Sequence, residues 1–98
     1  MTEPHPEFDA AHPSGQVLFR SCRGGYLHSV ALTEAALDAT AENLAVAILL
    51  TAEVSHLRAL MQVREEILAA GHTPSDSVPG IADFEVAVER LAAHELRE

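Results

Sequence analysis

Six histidines, one cysteine and a few serines are the side chains of this sequence that could ligate a metal or attack an electrophile. His5, His12, His28, His56, His72 and His94 are scattered over an N-terminal segment, a strand, two helices and a loop. They lack the i, i+4 pairs and Cys/His clusters that hold metals, so no metal or other cofactor is expected. His28 reads as a hairpin-end residue, and His56 as a helix histidine that could sense pH only if an interface covered it. The candidate nucleophiles are Cys22 with His28, or Ser21, Ser29 or Ser55 with one of the histidines. No G-x-S-x-G elbow, Cys-His signature or glycine-rich phosphate loop accompanies them. Arg23-Gly24-Gly25 could cradle an anion, but a hairpin turn accounts for it fully. Glu65 and Glu66 are helix neighbours that point in different directions. The expectation is a protein that is not an enzyme.

Composition narrows the partners. The chain has 98 residues and a net charge of -9, with 15 acids against 6 basic residues, all arginine. Such a surface repels phosphate and anionic lipid, so nucleic acid is disfavoured. The lone Cys22 excludes an internal disulfide and suits a buried strand position in a reducing cytosol. The start of the chain has no basic and apolar leader pattern. The nine uncharged residues Leu44 to Ala52 are expected to be too short to span a bilayer, so neither membrane insertion nor export is predicted.

The elements follow from periodicity and punctuation. Residues 1–15 mix three prolines with acids and histidines around one isolated aromatic, Phe8, and read as a disordered arm. Residues 16–98 read as one domain. Two β-prone runs flank Gly24-Gly25, predicting a hairpin over 16–32 with a two-residue loop. That register pairs Arg23 with Tyr26, Phe19 with Val30 and Val17 with Leu32. It places Val17, Phe19, Val30 and Leu32 on a core face and Leu18, Arg20, Cys22, Leu27, Ser29 and Ala31 on the other. Thr40 caps a long helix over 41–70 that Gly71 stops. After a Pro/Ser-rich turn, a second helix over 81–96 carries Ile81, Phe84, Val88 and Leu91 on one side. The class is α+β: a β-hairpin packed on a long helix plus a C-terminal helix.

A lone hairpin leaves open edges, and the uncharged front of the long helix needs covering on more than one side. A homodimer is therefore expected. Val46, Leu49, Leu50, Val54, Leu57, Leu60 and Met61 are the candidate residues of the dimer or partner interface, with the distal part of the helix favoured for a protein partner.

The sequence also resembles a known family. The residues that carry the likeness are Gly25, Val30, Leu32, Thr33, Glu34, Thr40 and Leu44, within 16–60. Thr73-Pro74 and the helix with Glu85, Glu89 and Ala92 match more weakly. Together they resemble the EspD/EspH-like proteins associated with mycobacterial type VII (ESX) secretion, and more distantly the YbaB/EbfC fold. The resemblance implies a non-enzymatic accessory, adaptor or chaperone-like protein that binds secretion substrates or accessory proteins. Tyr26 is followed four residues on by Val30, so the Tyr-x-x-x-Asp/Glu export signal is missing and a cytoplasmic location is expected. The YbaB/EbfC likeness implies the alternative, a nucleoid-associated DNA-binding protein.

Overall fold

The computed structural model describes residues 3–96. The chain forms β1 (Ala10–Ala11), β2 (Val17–Ser21), β3 (Leu27–Leu32), α1 (Ala41–Ala69) and α2 (Ile81–Ala93), with 3-10 segments at Pro6–Phe8 and Glu34–Asp38. The α+β class agrees with the sequence reading, but the sheet has three antiparallel strands in the order β1-β2-β3.

The third strand comes from the segment expected to be a disordered arm. Ala10 pairs with Phe19 and Ala11 with Leu18, while Pro4 bridges Cys22. Phe8 is 4 % exposed and His12 2 %. The arm orders because β2 would otherwise leave one edge unpaired beneath α1, and because Phe8 finds a covered site there. Residues 1 and 2 of that segment lie outside the described residues.

β2 and β3 keep the anticipated register through Val17 with Leu32 and Phe19 with Val30. Toward the turn the pairing slips, since Arg20 opposes Ser29 whereas Ser21 opposes Leu27. His28 is thus the extra residue of a β-bulge. The loop correspondingly holds three residues: Cys22 N–H donates to Tyr26 O at 2.7 Å, and Gly25 N–H to Cys22 O at 3.1 Å. The expected Arg23–Tyr26 pair does not form, because Gly24 and Gly25 both take positive φ (87° and 93°) and the bulge absorbs the extra residue. One consequence is a change of face. Opposite the buried Ser21, Leu27 joins Val30 and Leu32 on the helix side of the sheet.

α1 is bounded as its capping residues predict. Thr40 Oγ1 accepts from Asn43 N–H at 3.1 Å. At the other end, Gly71 N–H donates to Leu68 O and His72 N–H to Ile67 O, the paired bonds of a Schellman stop, with Gly71 at φ 87°. The helix meets the sheet through small residues. Ala47, Thr51, Ser55 and Ala59, spaced by four along one stripe, are each 0 % exposed. Their hydroxyls are satisfied internally: Thr51 donates to Ala47 O at 2.6 Å and Ser55 to Phe8 O at 2.8 Å. Ser21 then donates to Ser55 Oγ at 2.5 Å. By length and composition alone α1 is long and apolar enough to cross a membrane, more than its nine uncharged residues suggested. Here its small-residue stripe lies on the sheet.

Two apolar clusters flank that stripe. One joins Ala10, Val54, Leu57, Ala87 and Leu91; the other joins Val17, Ala36, Ala47 and Leu96. On α2 the buried face is therefore Ala87 and Leu91, with Phe84 packed alongside, whereas Ile81 and Val88 stand in solvent. A small residue sits where the two helices meet, and this rotates the face away from the larger apolar side chains. The helix ends at Ala93 rather than at 96, because His94 turns extended and Leu96 folds back into the second cluster.

Candidate functional site

Two features organise the surface: a partly buried polar chain that links the N-terminal segment to the residues after α2, and an apolar strip on β3 that stays exposed. The polar chain has a defined direction. Ser14 N–H donates to His12 Nδ1 at 3.0 Å, which leaves the proton on His12 Nε2. That N–H donates to His94 Nδ1 at 2.9 Å, and His94 Nε2–H donates to Asn43 Oδ1 at 2.9 Å. Asn43 Nδ2 closes the chain on the carbonyls of Glu95 and Leu96. A cavity of about 750 Å³ opens alongside, lined in part by His12, Ser14, Gln16, Asp38, Thr40 and Glu95.

The arrangement looks like a relay but is built as a clasp. Ser14 Oγ lies 2.9 Å from His12 Nδ1, yet the Ser14 backbone already occupies that nitrogen, and Gln16 N–H donates to the same hydroxyl at 3.1 Å. The two links that His12 makes require Nδ1 of both imidazoles to be free of a proton. A proton on His12 Nδ1 would face the Ser14 N–H, and one on His94 Nδ1 would face the His12 N–H. Burial, and then the nearby His94, accordingly hold the His12 pKa below its ordinary 6.5.

The sign of the pH dependence follows. With the folded value depressed, the unfolded chain takes up the proton first as pH falls, so stability is full above about pH 7 and declines through 6.5. The urea midpoint is expected to drop between about pH 7.5 and 5.5, and His12→Gln should flatten that drop while lowering the midpoint at pH 7.5. An unchanged slope in His12→Gln would place the pH dependence elsewhere.

The seven candidate interface residues separate into three groups. Val54 and Leu57 are 1 % and 6 % exposed and belong to the core against α2. Leu50 and Leu60 pack on the edge of that core, and Met61 lines a shallow depression with Phe8, Arg58 and Phe84. Val46 and Leu49 stand open, at 42 % and 69 % exposure. The distal part of the helix is thus largely occupied by the chain's own α2, and the open apolar surface lies on the front half.

Apolar side chains are also open on the sheet. Leu27, Val30 and Leu32 all face the helix side yet remain 52, 45 and 40 % exposed, because α1 runs over β2 and leaves β3 uncovered. The hairpin end is pinned to the helix by Gly25 O, which lies 2.6 Å from His56 Nδ1 and accepts its hydrogen. Gly25 has no space for a side chain there, since an added Cβ would come within 2.9 Å of the His56 ring. Leu49, two turns before His56, lies on the same stripe of the helix. On that stripe Leu49 stands open to solvent.

The remaining chemistry-bearing residues are not assembled. Cys22 is buried without a disulfide partner, and His28 is exposed and, among the described residues, bonded only to its neighbour Ser29. Among the described residues no group of three or more His, Cys, Asp or Glu could hold a metal ion. Arg20 pairs with Asp9 at 3.4 Å and Arg23 with Glu66 at 2.6 Å. Sequence reasoning missed the His12–His94 link, whose partners are 82 positions apart, and the four-residue spacing of Ala47, Thr51, Ser55 and Ala59. The second of these was visible as a pattern of small residues.

Comparisons with known proteins agree on kinship. The chain is 63 % identical over 97 residues to the uncharacterized proteins Mb0029 of Mycobacterium bovis and Rv0028 of Mycobacterium tuberculosis, covering 99 % of this chain and 96 % of each relative. No solved structure matches it. A family model described as "Protein of unknown function (DUF2694)" matches residues 1–97. The chain therefore belongs to the DUF2694 family.

Proposed function

We propose that this protein is a non-enzymatic accessory module of the mycobacterial cytoplasm that acts by binding other proteins, works as a homodimer and serves type VII (ESX) secretion. The observation that carries the protein-binding reading is the bare apolar strip of Leu27, Val30 and Leu32, with Leu49 of α1 also open to solvent. Apolar side chains grouped at an edge strand are the usual mark of a surface that meets protein. The link to secretion rests on the resemblance of the hairpin, Thr40 cap and helix to EspD/EspH-like proteins, together with the mycobacterial relatives. The alternative, DNA binding in the manner of YbaB/EbfC, draws less support: the net charge is -9, and Arg20 and Arg23 are already paired with acids.

Affinity purification from the native cell tests this reading. Type VII substrates or accessory proteins should co-purify with wild type, and Leu49→Glu should reduce their recovery without unfolding the chain. If none co-purifies, and deletion of the gene leaves export of every type VII substrate unchanged, the secretion assignment falls. A salt-dependent gel shift at sub-micromolar protein would instead promote the DNA-binding alternative.

A further inference from the structure

We propose that two copies of this chain join β3 to β3 in antiparallel fashion, making a continuous six-stranded sheet with both α1 helices on one face. The inference gives a specific interface to the homodimer in the reading above, and it stands or falls apart from the secretion assignment.

The two outer strands differ in how their edges are treated. β1 is two residues long, lies close to α1 and is bracketed by Pro6 and Pro13, so its free edge offers little to pair with. β3 has six residues, Leu27–Leu32, without a charge or a proline, and each is exposed. Soluble proteins usually guard such an edge with charge. Its only irregularity is the bulge at His28, confined to the turn end.

The surface area points the same way. A compact monomer of 10.5 kDa exposes about 5,400 Å². This chain exposes 6172 Å². The excess of roughly 770 Å² is close to the ~800 Å² that each partner contributes to an ordinary stable interface. Its radius of gyration, 14.3 Å, likewise exceeds the ~12.6 Å of a compact chain this long.

Hydrogen-bond alternation then selects the register. Thr33 N–H donates to Gln16 O at 3.1 Å, so Thr33, Ala31 and Ser29 turn their backbone groups toward β2. Val30 and Leu32 turn theirs outward. A two-fold axis beside Ala31 sets Val30 of one copy opposite Leu32 of the other, twice over, so every outward N–H and C=O of that stretch finds a partner. The same register brings the two strips of Val30 and Leu32 side by side on the helix face, avoids the bulge, and places no like charges opposite one another within β3.

Light scattering at micromolar concentration should report twice 10.5 kDa. Val30→Lys and Leu32→Lys, both at positions already about half exposed in a single copy, should keep the far-UV circular dichroism and weaken the dimer on the order of 100-fold. Ala31→Cys probes the interface directly. On the axis it meets its own copy at a non-hydrogen-bonded pair, about 4.5 Å between Cα atoms, and mild oxidation should link the copies covalently. Val86→Cys, exposed on α2, should not. A monomer at the highest soluble concentration overturns the proposal, as does a dimer indifferent to both lysines whose Ala31→Cys form fails to cross-link. Absence of secretion partners, by contrast, leaves it untouched.

Discussion

Phe8→Ala is expected to lower the unfolding free energy by about 3–5 kcal/mol, the range for emptying a buried aromatic site. Phe8 is 4 % exposed, so the substitution empties its site, while the backbone carbonyl that accepts the Ser55 hydroxyl is retained. A chain of this length has a total stability of about 5–15 kcal/mol, so the variant should be close to unfolding at body temperature. Urea denaturation gives the answer: the midpoint should fall sharply with the slope unchanged. A change within about 0.5 kcal/mol, the scale of a surface substitution, would mean that the segment is a solvated arm after all.

Leu57→Ala should cost about 2–5 kcal/mol, and the loss should be independent of protein concentration. Leu57 is enclosed by Val54, Ala87 and Leu91 within one copy, so its removal leaves a cavity between α1 and α2. Leu49→Ala provides the contrast. At 69 % exposure it should leave the stability of a single copy within about 0.5 kcal/mol. Denaturation of both variants at two protein concentrations separates core from interface. If Leu57→Ala were as mild as Leu49→Ala, the packing of α2 on α1 would be wrong.

The parts of this fold that were legible in the sequence are those whose signals are local. Thr40 and Gly71 bracket α1 by capping chemistry, and the alternation around Val17 and Phe19 gives the β2–β3 register. The bulge at His28 leaves no such trace, because Gly24-Gly25 suits a two-residue loop as well as a three-residue one. The first strand was hidden for a different reason. Two alanines and one phenylalanine have no period, and they order only through distant partners in β2, Ser55 and His94. Apolar character marks the candidate interface residues, but it does not distinguish the side of a helix facing its own chain from the side facing another. Val54 and Leu57 proved to face inward, while Val46 and Leu49 remained outside. The same bias toward large side chains favoured Ile81 and Val88 over Ala87, although close helix approach selects the smaller residue.

The clasp between His12 and His94, 82 positions apart at 2.9 Å, also dictates an order of events during synthesis. The sheet and α1 leave the ribosome first and can assemble while α2 is still being made. Leu96, which completes the cluster of Val17, Ala36 and Ala47, arrives only after α2, together with the histidine that fastens the N-terminal strand. Until His94 and Leu96 have emerged, the nascent protein therefore carries an unfinished core beside an unpaired strand, a state prone to wrong association. A frameshift or stop codon ahead of His94 would make that state permanent.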